Sequence, residues 1–348
     1  MERFRLLAAA GLAAAAVLAA TAGALAEDAA PSHLDRVLLP VFDGNNSAWS
    51  PDSRQIAVPE SKSITLRGTD GRRQRSLRGA GIGHFGFPCE ECPLAWNQDG
   101  THIQFLSHED EYEADDWVVG SVSVDGSDEQ RRSLGVPLGA AAWAPSGWPL
   151  IYIPNSRTIT VAKGKLVGPS PDIWRLDSLY GKPRKLVESR AEEDDPLFSP
   201  DGTEFTFLRE RERSSSLWKA RSDGSGVRRL VGNLLGPSAA QWSPDGGSIA
   251  LSTFSRGDRR CHLYLLGADG GRLQQIVDEE ILTNRPAWTP DGNWITFSNY
   301  NGEIRRVRPD GSGLQTLERM PDKEIRALRW SPDGTHLAYT ARVFLHSD

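Results

Sequence analysis

The sequence predicts an all-β fold, a seven-bladed β-propeller built from four-stranded antiparallel blades, and three observations carry that expectation. An aromatic residue followed by a tight-turn sequence recurs seven times, as Ala48-Trp49-Ser50-Pro51-Asp52, Ala95-Trp96-Asn97-Gln98-Asp99-Gly100, Ala142-Trp143-Ala144-Pro145, Leu197-Phe198-Ser199-Pro200-Asp201-Gly202, Gln241-Trp242-Ser243-Pro244-Asp245-Gly246, Ala287-Trp288-Thr289-Pro290-Asp291-Gly292 and Arg329-Trp330-Ser331-Pro332-Asp333-Gly334. The aromatic anchors lie 47, 47, 55, 44, 46 and 42 residues apart, the length of one four-stranded propeller blade. Between the anchors, five repeats carry a second turn at Asp70-Gly71, Asp125-Gly126, Asp223-Gly224, Asp269-Gly270 and Asp310-Gly311, a strong hairpin signal between alternating runs.

The elements follow in chain order. Arg3 and Arg5, an apolar run over residues 6–22, and Ala24-Leu25-Ala26 before Glu27-Asp28 have the order of a secretory signal peptide. Cleavage after Ala26 leaves 322 residues, 46 for each of seven blades. No Cys follows the apolar run, which argues against a lipid anchor, and no later segment is apolar enough for a membrane span. Residues 27–348 then read as one propeller domain. Residues 35–41 resemble the last strand of a blade with no blade before it, while the seventh copy stops after two strands. The expectation is a ring closed by the N-terminal strand; six blades, the alternative, leave one copy unused.

Within each repeat, Pro fixes φ, Asp bonds its local backbone and Gly accepts a positive φ, so Ser-Pro-Asp-Gly closes two strands. The strands behind it alternate, as in Trp294-Ile295-Thr296-Phe297. The long third interval holds an extra small hairpin, Thr158-Ile159-Thr160-Val161 with Lys165-Leu166-Val167. The charge run Arg209-Glu210-Arg211-Glu212-Arg213 reads as a solvated strand end.

Composition narrows the partners. The net charge of −6 disfavours nucleic acid and anionic membranes. Three Cys are too few to replace a core, although export permits a disulfide.

The Trp-Ser-Pro-Asp-Gly turn followed by an alternating strand, seven times over, resembles the TolB-type (WD40-like) propeller repeat across nearly all of the expected mature chain. That resemblance implies a bacterial periplasmic or secreted propeller acting as a binding scaffold, here a monomer. TolB's own smaller α/β domain has no room here, so its envelope role does not transfer. Peptidase relatives carry a Gly-x-Ser-x-Gly hydrolase domain that is absent from this sequence, and an enzyme is not the favoured reading.

Function is expected where the copies disagree, in the loops before each anchor, which converge on one mouth of a propeller's channel. The residues placed there are Asn45, Asn46, His84, Glu90, Glu91, Glu192, Glu193, Asp194, Asp195, Arg285 and Arg326, with Asp43, Asn284 and Glu324 beside them. Four consecutive carboxylates at residues 192–195 suit a basic partner or a divalent cation; no cofactor is otherwise implied. Cys89-Glu90-Glu91-Cys92, flanked by Pro88 and Pro93, permits a small structural disulfide, a redox pair or half of a metal site. Cys261 is expected buried and free. Three functions stay open. A scaffold for a protein, peptide or cell-envelope ligand is favoured. The alternatives are a metal-assisted lyase or hydrolase of a saccharide using His84, implied by a resemblance that extends to oligogalacturonate lyases with a His-held metal, and a thiol role for Cys89 and Cys92.

Overall fold

A computed structural model describes residues 35–39, 47–60, 63–77, 94–108, 117–136, 138–154, 160–162, 165–167, 172–188, 191–211, 214–255, 257–282 and 285–343. Among them there is no helix. β1 (Asp35–Leu39) comes first. The first repeat forms β2 (Ala48–Trp49), β3 (Gln55–Glu60), β4 (Ser63–Gly68) and β5 (Arg73–Leu77), adjacent in that order and antiparallel. The second forms β6 (Ala95–Trp96), β7 (His102–His108), β8 (Trp117–Ser123) and β9 (Glu129–Ser133) in the same way. In the third, β10 (Leu138–Trp143) and β11 (Leu150–Pro154) are followed by a separate hairpin, β12 (Thr160–Ala162) with β13 (Lys165–Val167). Its sheet then continues through β14 (Ile173–Leu176) and β15 (Arg184–Val187). The extra hairpin lies where the alternating pattern predicts it; Thr158 and Ile159, the first two residues of that pattern, lie outside the described residues.

The fourth and fifth repeats share a strand. β16 (Glu192–Phe198), β17 (Glu204–Arg211) and β18 (Ser214–Arg221) lead to β19 (Arg228–Trp242), whose first part pairs with β18 and whose last part pairs with β20 (Ser248–Phe254). β21 (Cys261–Gly267) and β22 (Gln274–Gln275) complete this seven-stranded sheet. The sixth repeat is β23 (Ala287–Trp288), β24 (Ile295–Ser298), β25 (Glu303–Val307) and β26 (Gln315–Arg319). The seventh has β27 (Lys323–Trp330) and β28 (His336–Val343), and β1 lies along β28. The pairing of β1 departs from expectation. It runs parallel to β28, with Asp35 opposite His336 and Leu39 opposite Thr340, directly beside the second strand of the repeat. β28 continues to Val343, so the described chain offers no separate third strand there.

The recurrent turn works as its chemistry predicts. Ser50, Ser199, Ser243, Thr289 and Ser331 donate their hydroxyls to Asp52, Asp201, Asp245, Asp291 and Asp333 at 2.5–2.6 Å. Each of those aspartates also accepts the backbone N–H two residues on. The turn glycines have φ of 69–73° at residues 100, 202, 246, 292 and 334, and Ser53 takes the same conformation at 63° in the first repeat.

Three sets of contacts tie successive repeats together. The anchor tryptophans reach back: the indole N–H of Trp96 donates to Ala48 O at 2.9 Å, that of Trp288 to Gln241 O at 3.2 Å and that of Trp330 to Thr296 Oγ1 at 3.0 Å. The turns abut, since a methyl added at Gly100, Gly202, Gly246, Gly292 or Gly334 would touch Pro51, Pro145, Pro200, Pro244 or Pro290 of the repeat before. Arginines of the outer strands strap the next repeat's second turn: Arg75 bonds Val124 O at 3.2 Å, Arg132 bonds Gly181 O at 2.5 Å and Arg228 bonds Asp269 O at 2.6 Å. The seventh repeat treats the first the same way. Trp49 donates to Arg329 O at 3.1 Å, and the Asp333 N–H donates to Ser53 Oγ at 3.0 Å.

Burial follows this arrangement. Middle strands are covered on both faces and read as continuous apolar runs, such as β11 and β24, whereas outer strands such as β5 and β9 are largely exposed. The core is divided into layers between neighbouring sheets. Phe105 and Ile103 of the second repeat pack with Ile64 and Leu66 of the first, Phe205 and Phe207 of the fourth with Ile151 and Ile173 of the third, and Ala338 of the seventh with Ile56 and Val58 of the first.

Candidate functional site

The first strands of the repeats neighbour one another: β2 contacts β6 and β27, β10 contacts β16, β16 contacts β19, β19 contacts β23, and β23 contacts β27. Their upstream ends are where the sequence places function. Several of these strands are interrupted there by bulges, between Leu138 and Ala140, Asp194 and Leu197, Leu235 and Ala239, and Arg326 and Arg329. A bulge re-aims the side chains around it and frees backbone groups from the ladder. Hydroxyls of adjacent strands collect the freed carbonyls: Thr340 Oγ1 donates to Arg326 O at 3.3 Å, Ser298 Oγ to Ile325 O at 2.8 Å and Thr253 Oγ1 to Leu235 O at 3.3 Å. Asp195 and Ala327 sit in these bulges with φ of 46° and 58°.

The acidic run does not act as one surface. Residues along a strand alternate in face, and Glu192 and Glu193 lie opposite Glu210 and Arg209. Glu192 is exposed. The Glu193 carboxylate is fully buried and accepts from Arg209 Nε at 3.0 Å and Nη2 at 2.5 Å. The Arg209 guanidinium also stacks 4.1 Å from the Trp218 ring centroid. The reading of the arginine–glutamate run as a solvated strand end is therefore corrected at Arg209. Its position in β17, between Glu193 and Trp218, gives the cation both a counter-charge and an aromatic face.

Asp194 and Asp195 occupy the bulge. The Asp195 N–H donates to Asp194 Oδ1 at 2.8 Å. Burial, reinforced by the charges of Asp195 and Glu210, pushes the Asp194 carboxyl up to about 6, against the opposing pull of the Asp195 N–H and Arg285. Asp195 pairs with Arg285, ninety residues away, and Arg285 also donates from Nη1 to Ala240 O at 2.6 Å. One guanidinium thus joins the fourth, fifth and sixth repeats. Arg329 lies close enough for burial and the charge of Arg285 to push its guanidinium down to about 10.

Arg326 belongs to a neighbouring group. Its Nε donates to Glu324 Oε1 at 2.6 Å, and Arg342 Nε donates to Glu324 Oε2 at 2.6 Å. The two cations keep the Glu324 carboxyl below its usual range despite its burial, the largest opposing influence. The half-exposed Tyr300 is near enough to feel both Glu324 and Arg326. The structure therefore brings Asp194, Asp195 and Arg285 together, sets Glu193 apart with Arg209, and places Arg326 with Glu324. Asn45, Asn46, His84, Cys89, Glu90, Glu91 and Cys92, with Asp43 and Asn284, lie outside the described residues. Cys261 is buried and free, as expected, and burial pushes its thiol up to about 12. Arg209, Glu210, Arg329 and Arg342 are the charged residues at these ends that the sequence reading did not assign to the site. Their signal is three-dimensional, because their partners lie on adjacent strands.

Among the described residues no group of three or more His, Cys, Asp or Glu is arranged to hold a metal, and no helix is long and apolar enough to cross a membrane.

No protein-family model matches the chain. An uncharacterized protein of Agrobacterium fabrum, Atu1656, is 29% identical over 83 residues, which is 24% of this chain and 28% of that protein. Among solved structures, TolB from Acinetobacter baumannii aligns with a TM-score of 0.51 at 16% identity, over 84% of this chain and 65% of TolB. An oligogalacturonate lyase solved with manganese aligns at 0.62 and 12% identity, over 84% of both chains. Kuenenia stuttgartiensis hydrazine synthase aligns at 0.61 and 13% identity, over 89% of this chain and 98% of that one. The chain thus spans 28% of that curated relative and 65% of the TolB chain. Identities this low speak to architecture alone, and with the repeated antiparallel sheets they identify the fold as that of a TolB-like β-propeller.

Proposed function

We propose that this chain is an exported, non-catalytic propeller scaffold that binds a protein, peptide or cell-envelope ligand where the upstream ends of its inner strands converge. In this reading seven blades form a ring closed by β1, residues 1–26 direct export to the periplasm or beyond, and the mature protein is a monomer. The observation that carries the proposal is the bulged charge cluster of Asp194, Asp195 and Arg285. It builds a fixed, mixed-charge surface from three repeats, in the one part of each repeat where the copies differ. Glu192, exposed beside it, and Arg326, a third exposed at its side chain, extend that surface. Asn45, Asn46, His84, Glu90 and Glu91 are assigned to the same side by sequence position, and Cys89 with Cys92 to a disulfide bracing its second loop.

The test is capture of partners from an envelope extract by the mature protein and by a Glu192→Gln, Asp194→Asn, Asp195→Asn variant. Loss of a specific partner with the fold intact supports the site; retention of every partner sinks it.

The likeness to oligogalacturonate lyases favours a second reading, a metal-assisted lyase acting on a saccharide, with His84 and nearby carboxylates as ligands. Elemental analysis and an assay on acidic oligosaccharides before and after chelation decide it. Absence of both bound metal and chelator-sensitive activity would sink this second reading.

A further inference from the structure

His262 is the second residue of β21 and is 3% exposed. Its Nε2 lies 2.8 Å from Asp258 Oδ2 and its Nδ1 lies 3.0 Å from Glu279 O. A carbonyl oxygen only accepts. The Asp258 carboxyl is held down to about 2, first by the Arg260 N–H and then by His262, so it too is an acceptor. Two acceptors on one imidazole require both ring nitrogens to donate, which only the imidazolium does.

The two partners belong to different segments. Asp258 is on the turn between β20 and β21, held by Arg260 N–H to Asp258 Oδ1 at 3.1 Å and by Ser255 N–H to Arg260 O at 2.8 Å. Glu279 is in the linker that leaves β22 and lies beside β21 and β24 as far as Leu282, three residues before Arg285 in the sequence. The same linker is fastened by Ile281 N–H to Cys261 O at 2.9 Å, Leu282 N–H to Ser298 O at 2.9 Å, and Arg305 to Glu279 Oε2 at 2.6 Å.

We propose that His262 is a positioning residue for the binding surface: as an imidazolium it fastens the linker carrying Arg285 to the turn carrying Asp258, and loss of its proton unfastens that linker. The proposal rests on the scaffold reading for its functional consequence, a pH-sensitive binding surface. Deprotonation turns one of the two hydrogen bonds into a lone pair facing an acceptor, a buried mismatch that costs more than the bond itself. The other charged and titratable groups on the segments packed near the ring carry both signs. Glu279 and Glu280 come from the linker, Arg260 from the turn against Glu280 at 3.7 Å, and Arg305 from β25 against Glu279. Cys261 and Tyr264 come from its own strand, with Tyr264 edge-on at 6.5 Å, and Tyr300 follows β24.

The experiment is performed on the mature protein without any ligand. Nitrogen-15 spectra of the histidine ring should show both His262 nitrogens protonated while the Ile281 and Leu282 amides are protected from exchange. As the pH is raised until that ring loses its second proton, exchange at these two amides should rise about tenfold beyond its intrinsic pH dependence. Asp258→Asn, at a half-exposed position that should not disturb folding, should remove this extra pH dependence, while the Ala268 amide in the same sheet keeps its protection. His262→Gln should leave the linker loose at every pH. A ring with one bare nitrogen while both amides stay protected overturns the proposal, as does unchanged exchange in Asp258→Asn. Because no partner is present, this result stands or falls independently of partner capture.

Discussion

Asp194 and Asp195 are adjacent in sequence and opposite in electrostatic situation. Asp195 meets Arg285, whereas Asp194 is desolvated and faces Asp195 and Glu210. A carboxyl whose folded value is raised to about 6 stabilises the fold fully below its unfolded value near 3.8 and loses that contribution as pH rises through 6. The turn aspartates act with the other sign. Hydrogen bonds from Ser50, Ser199 and Ser243 lower Asp52, Asp201 and Asp245, so their contribution is present above the ordinary carboxylate value and lost as pH falls below it. Asp194→Asn should therefore stabilise the protein at pH 7 by roughly 2 kcal/mol, with the gain vanishing below pH 4; urea denaturation at the two pH values measures it. Arg285→Ala has the reverse effect, since it strands Asp195 in a mostly covered site. A loss of roughly 2 kcal/mol is expected, below the full cost for a deeply buried pair because both side chains retain some exposure. A double-mutant cycle with Asp195→Ala should return a coupling of about 1 kcal/mol or more; strict additivity would show that the pair contributes nothing.

At the scale of the element, the second turn of each repeat is more than a hairpin closure. In the fourth repeat Gly224 has φ of 90°, and a methyl there would lie 2.5 Å from Leu186 O of the third repeat. Both a left-handed backbone and close passage of the neighbouring strand demand glycine. Gly224→Ala should cost about 2–3 kcal/mol and lower the thermal midpoint, whereas the turn's exposed neighbour Ser225→Ala should cost less than about 1 kcal/mol. Elements also mark the boundary of what the sequence makes legible. The Ser-Pro-Asp-Gly turns are local chemistry, so spacing and residue type suffice to place them and the strands on either side. The direction of β1 is not local. Its pattern Val37-Leu38-Leu39 fits a parallel or an antiparallel neighbour equally, and only the pairing with β28 decides. The same holds for the site. Residues 192–195 look like one acidic patch in one dimension, but strand alternation sends Glu193 to Arg209 and the bulge sends Asp195 to Arg285, a partner ninety residues away. The arginine straps Arg75, Arg132 and Arg228 read as ordinary exposed strand residues until the adjacent repeat's turn is beside them.

At the scale of the whole molecule, the stability of stacked repeats depends on whether the first and last are covered. In an open array each repeat touches only its neighbours and the ends fray first. Here the last repeat gives the first the same contacts that interior repeats give one another: Trp49 to Arg329 O mirrors Trp96 to Ala48 O, and Asp333 meets Ser53 as one turn meets the next. β1 supplies the third strand of that last sheet, and without it β27 and β28 are a two-stranded hairpin, an arrangement that is marginal in water on its own and would depend on its packing against neighbouring repeats. The indole N–H groups of Trp49 and Trp96 should accordingly exchange at rates within about tenfold of each other, because both report on the same cooperative opening. Deleting residues 35–39 should accelerate exchange at Trp49 by much more than at Trp96, since only the former depends on the sheet that β1 completes. Equal acceleration at both would mean that β1 stabilises the chain as a whole without holding its last repeat against its first. Fast exchange at Trp49 in the intact protein would mean that the first and last repeats part readily in solution.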